Sequence, residues 1–184
     1  MDFKNLNRKE YNRLRYQWKL LSQEYEDIQK VANKINIKFV DYVYIFTKEN
    51  NIKNPFDKIE DTKKDKSRDN STLSSSSSVR TLYRDIMKQT HPDKKENNTE
   101  LYVEATVAKK ENNLHKLLDV GKKLKLNLTD ISRDQLNVLE SNIKEIKDKI
   151  REIKNSYPWV WFHGSQKTKH EVIYGFLTEM KCFE

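Results

Sequence analysis

One cysteine, Cys182, stands in 184 residues, so no disulfide can form within the chain. A reducing compartment is the simplest expectation. With only three glycines and three prolines, few turns are marked. Chains of this kind favour long helices over a many-turned β fold. No apolar run approaches the length of a membrane span. The opening MDFKNLNRKE has no apolar core and does not read as a secretory signal. A cytoplasmic location is expected. Catalytic signatures are missing too: no Gly-rich phosphate loop, no G-x-S-x-G and no H-E-x-x-H occurs. His163, His170 and Cys182 share the C-terminal end, but their spacing fits no standard zinc site. The expectation is a protein that is not an enzyme and holds neither metal nor cofactor.

What is present is charge. Charged residues make up 35% of the chain and hydrophobic residues another 35%. That is too polar for one large core and suits long helices with one buried stripe each. Lys and Arg number 36 against 28 Asp and Glu, a net charge of +8. Such an excess can meet an acidic partner, whether nucleic acid, an anionic membrane or an acidic protein face. Here the lysines are scattered among Glu and Asp, which favours simple solvation. A basic helical nucleic-acid binder is therefore the third and weakest functional reading, and no membrane partner is expected.

Along the chain, residues 8–36 read as a helix. Tyr11, Leu14, Trp18, Leu21, Tyr25, Ile28, Ala32 and Ile35 step by three and four, a heptad seam with three bulky aromatics. Packing of that seam against other elements is favoured over stacking of bases on its aromatics. Residues 39–46, FVDYVYIF, are the most apolar run. Their β-branched and aromatic content leans towards a strand, but no partner strand is evident. They are expected to form a second helix that covers the first and ends at Asn50-Asn51. The region 1–56 is thus an N-terminal helical region. Residues 57–78 have almost no apolar content and five serines in a row. They read as a spacer rather than a modified segment.

Residues 79–95, VRTLYRDIMKQTHPDKK, carry the one motif of functional interest. Leu82, Ile86 and Met87 fall on one helical face; Arg80, Arg84 and Lys88 recur every four residues on another. Pro92 lacks an amide hydrogen and disfavours helix at His91, so the helix should stop there and display His91-Pro92-Asp93 in a loop. A helix at 100–126 follows, with Thr99 as its cap and Leu101, Ala105, Ala108, Leu114, Leu117, Leu118 and Leu124 on its apolar side. His115 lies among these leucines and is expected to pack rather than to ligate.

This stretch resembles the J domain of DnaJ-type co-chaperones. Tyr83, Arg84, His91, Pro92, Asp93 and Lys94 match that family's Tyr-Arg pair, the tripeptide eight residues on, and the Lys that often follows. The resemblance covers residues 79–126, about a quarter of the chain. It implies an antiparallel helix pair and a partner, a DnaK-type chaperone ATPase. Arg80, Arg84 and Lys88 would steer the encounter with an acidic surface. Tyr83, His91, Pro92 and Lys94 would belong to the same contact, and Asp93 would switch the ATPase towards hydrolysis. Neither the zinc-binding repeats nor the Gly/Phe-rich linker of larger DnaJ proteins occurs, so the resemblance is to the minimal type. Similar short, Lys- and Asn-rich J-like proteins occur in large DNA viruses, which would place the chain in host cytoplasm or a virion. Three positions depart from the family pattern. Asp85 replaces a usual cation, no short first helix directly precedes Val79, and the later helix lacks the usual Phe. They carry the alternative, a structural or virion assembly protein that uses a J-like fold as scaffold.

After this J-like region, 79–128, residues 133–156 repeat Leu136, Leu139, Ile143, Ile146, Ile150 and Ile153 at heptad spacing. Their partner is either the first helix or another chain, such as a client or assembly partner. Matching seams at the two ends favour the first helix. Region 129–157 is thus read as a coiled-coil helix. In region 158–184, Pro158 ends it; Trp159 and Trp161 then either cap the bundle or anchor a partner. Residues 169–183 read as a short amphipathic helix. The fold class expected is all-α, with a J-like antiparallel helix pair and long heptad-containing helices in a coiled-coil-like hairpin or bundle.

Overall fold

A computed structural model describes residues 3–58, 77–91, 99–126, 128 and 131–183. Among these the chain is all-α. The helices are α1 (Phe3–Glu49), α2 (Ser77–Thr90), α3 (Thr99–Lys110), α4 (Leu114–Lys123), α5 (Arg133–Asn155), α6 (Tyr157–His163) and α7 (Gln166–Glu179). A single 3-10 turn lies at Pro55–Lys58. No described residue is in a strand. The spacer expected at 57–78 falls largely outside the described residues.

α1 corrects the reading of two helices at its start. Residues 39–46 continue the first helix instead of folding back on it. No Gly or Pro interrupts residues 3–49. The apolar positions stay in helical phase through Ile35, Phe39, Val43 and Phe46, all buried. Burial of that face outweighs the weak strand preference of β-branched and aromatic residues. The helix stops where expected. Asn51 takes a left-handed conformation (φ 53°), and the Ile52 amide donates to the Thr47 carbonyl at 2.9 Å, so the freed carbonyls are satisfied.

The chain divides into two compact units, residues 1–22 with 70–147, and 23–69 with 148–184. In the first unit, α2 packs on α3 and α4. Val79, Leu82 and Ile86 of α2 join Ala105, Ala108, Leu114, Leu117 and Leu118, with Leu14 of α1 and Leu136 and Leu139 of α5 closing the core. Arg133 of α5 pairs with Glu10 of α1 at 2.9 Å, and the Asn7 side-chain amide donates to the Ile131 carbonyl at 3.1 Å.

The helix expected over 100–126 is two helices. Asn112 is left-handed (φ 49°), and Asn113 caps α4 by accepting from the Lys116 amide at 3.1 Å. Asn is the residue that tolerates both states. Asn142 of α5 holds the break open: its Oδ1 accepts from the Leu114 amide and its Nδ2 donates to the Asn112 carbonyl, each at 3.1 Å. The break lets Leu114, Leu117 and Leu118 turn into the core.

In the second unit, Phe39, Val43 and Phe46 of α1 pack with Trp161 of α6, Ile173 and Leu177 of α7, and Cys182. α5 ends at Asn155, ahead of Pro158, as the proline requires. Pro158 then sits in the first turn of a further short helix, α6. Its missing amide costs nothing in a first helical turn. α7 begins at Gln166, three residues earlier than the apolar pattern suggested. The cause is Ser165, whose Oγ accepts from the Thr168 amide at 3.2 Å.

Candidate functional site

α2 has two unlike faces. Val79, Leu82, Ile86 and Thr90 are buried, stepping by three, four and four. The Thr90 hydroxyl donates to the Ile86 carbonyl at 3.1 Å, so the polar end of that stripe is satisfied inside the fold. Met87 is half-buried against the same core. Arg80, Arg84 and Lys88 are exposed, as the four-residue spacing predicts.

The basic stripe is modified by its neighbours. Lys88 Nζ lies 3.0 Å from Asp85, an exposed pair within one turn. Such pairs contribute about 0.3–0.5 kcal/mol, but they lower the positive field that a partner meets. Tyr83 is half-buried, with the Lys109 ammonium 4.5 Å above its ring. That contact ties α2 to α3 from the side and fixes the phenol. Helical hydrogen bonding runs one residue past α2, because the His91 amide donates to the Met87 carbonyl at 3.0 Å. His91 is exposed. Pro92, Asp93 and Lys94 lie outside the described residues. Arg80, Tyr83, Arg84, Lys88 and His91 are thus on one helix and its immediate end.

The two tryptophans have different fates. Trp161 is buried in the second unit, edge-on to Phe39 at 5.6 Å and 5.1 Å from Tyr42. Lys169 sits over its ring at 5.6 Å. Trp159 is half-buried and leans on His163 at 4.7 Å.

His115 is the one described side chain with a strongly shifted titration. Its ring stacks on Trp18 at 4.8 Å, nearly parallel. Nε2 lies 3.3 Å from the Leu139 carbonyl, so the neutral ring carries its proton there. Nδ1 is buried without a partner. Burial lowers the pKa from 6.5 to about 4, against the opposing pull of the Leu139 carbonyl and Asp119. A neutral, stacked imidazole in this setting packs the core. The sequence showed His115 among leucines. It gave no sign of Trp18, which lies far away along the chain.

Among the described residues no group of three or more His, Cys, Asp or Glu side chains could hold a metal, and no helix is long and apolar enough to cross a membrane. No family model, curated protein or solved structure matches this chain.

Proposed function

We propose that this protein is a minimal J-like co-chaperone. It would bind a DnaK-type chaperone ATPase through α2 and the His91-Pro92-Asp93 segment and stimulate its hydrolysis of ATP, performing no bond chemistry itself. The observation that carries the reading is the two-faced α2. Its apolar face is buried, and Arg80, Arg84 and Lys88 are presented in the register that the sequence motif demands. On this reading α2 and α3 are the J-like helix pair. The heptad seams of α1 and α5 would belong to a coiled-coil-like scaffold for a client or assembly partner, with the half-buried Trp159 as a further anchor; Trp161, buried in the second unit, serves as the cap and not as an anchor.

The test is ATPase stimulation by wild type and by Asp93→Asn. Wild type accelerates hydrolysis and the variant does not, and the effect of wild type weakens as salt screens the steering charges. Equal stimulation by both, or none by either, removes the co-chaperone reading. The second reading, a structural or virion assembly protein without ATPase stimulation, is favoured by one observation: the Asp85–Lys88 pair draws a cation of the stripe into the helix's own surface.

A further inference from the structure

In the first unit, α1 and α5 leave an open groove of about 320 Å³ between them. Leu14 and Ile143, both buried, close its floor. Its lips are polar: Arg13 and Gln17 from α1, and Glu140, Lys144 and Lys147 from α5. The groove therefore holds three cations and one carboxylate. Glu10, one turn before Arg13, is engaged by Arg133 at 2.9 Å and reaches Arg13 only at 3.9 Å.

Beside the groove α1 exposes two large side chains. Tyr16 is 73% exposed and Leu20 is 70% exposed. At three and seven residues from Arg13, they share a face with it. Tyr16 is thereby set apart from Tyr11 and Leu14, which turn into the core.

We propose that this face binds single-stranded nucleic acid, with phosphates held by Arg13, Lys144 and Lys147 and a base stacked on Tyr16. Lys144 and Lys147 are three residues apart on one face of α5 and both line the groove, so the backbone of one strand can run past both. An exposed aromatic next to a cationic groove is the arrangement that binds any base by its π-face. An acidic helix is the rival occupant, since it too would satisfy the cations. Such a helix needs apolar anchors over two or more turns. Here the apolar stripe is only Tyr16 and Leu20, with Lys9, Asn12 and Arg13 before it and Gln23 after it, all exposed. The site uses none of the α2 cations, so it stands or falls apart from the co-chaperone reading.

The test is fluorescence anisotropy of a labelled single-stranded oligonucleotide of mixed sequence, titrated with the full chain from low to physiological salt. Wild type binds at low salt and loses affinity as salt rises. The double variant Lys144→Gln/Lys147→Gln binds more weakly, and its dependence of log affinity on log salt is shallower by about 0.7 for each cation lost. Tyr16→Ala weakens binding about ten-fold with the salt slope unchanged, whereas Tyr16→Phe keeps it. Arg80→Gln/Arg84→Gln, which removes α2 cations, binds as wild type does. All the altered side chains are exposed, and circular dichroism checks that each variant is folded. Absence of binding by wild type at low salt overturns the proposal. So does binding that Tyr16→Ala leaves intact, or binding that a poly-glutamate peptide abolishes while itself holding equally well to Tyr16→Ala, which would assign the groove to an acidic protein.

Discussion

The two units are built on different interiors. The first has mostly aliphatic packing around three buried polar side chains, Thr90, His115 and Asn142. The second is closed largely by rings: Phe39 meets Trp161 and Phe176 edge-on at 5.6 and 5.2 Å, and Phe46 meets Tyr174 edge-on at 5.6 Å. Aromatic packing lets a few side chains remove much apolar area from water. It suits a unit whose helices α6 and α7 are short. A broken helix pair needs something else. The α3–α4 break exposes backbone groups inside the fold, and only a polar side chain at the right place can satisfy them. That is the role of Asn142.

The comparison can be broken most severely in the second unit. Phe39→Ala removes the ring that touches both Trp161 and Phe176 and should cost about 3–5 kcal/mol. Urea unfolding followed by hydrogen exchange should show the loss in amides of residues 23–58 and 148–183, with smaller changes in the first unit. An equal loss of protection in both units would mean that they unfold as one.

Next in size is a pH effect confined to the first unit. His115 has a folded pKa of about 4 against 6.5 when exposed. Between those values the unfolded chain takes up a proton that the folded chain refuses. Stability from this group is therefore full above pH 6.5 and is lost as pH falls towards 4. The drop corresponds to about 3 kcal/mol. Urea midpoints at stepped pH check it, and His115→Leu should flatten that part of the profile. An unchanged profile in the variant would show that carboxylates alone set the acid limit.

Smallest is Asn142→Ala. It leaves the Leu114 amide and the Asn112 carbonyl without their partner, at about 2 kcal/mol. The loss should localise to amides around residues 112–118. A Leu at 142 should do no better, since the defect is an unmet hydrogen bond and not a void.

The two faces of α2 were legible in the sequence, while Pro92, Asp93 and Lys94 lie outside the described residues. The spacing of Leu82 and Ile86 against Arg80, Arg84 and Lys88 is a local property of one helix, and it fixed which face would be buried. The Asp85–Lys88 pair was readable in principle from its i, i+3 spacing. Lys109 over Tyr83 was not, because it joins two helices.

By itself the sequence determined the all-α class, the helical phase of each apolar stripe, and the stops at Asn50-Asn51 and before Pro158. These follow from periodicity and from backbone chemistry within a few residues. The tertiary structure decided the rest. It joined 39–46 to the helix before it, because a continuous buried face outweighed local strand preference. It split 100–126, because Asn142 was there to satisfy the break. It buried Trp161 while leaving Trp159 half exposed, a choice that the sequence left open. Burial depends on which partner arrives from elsewhere in the chain, and no local pattern contains that information.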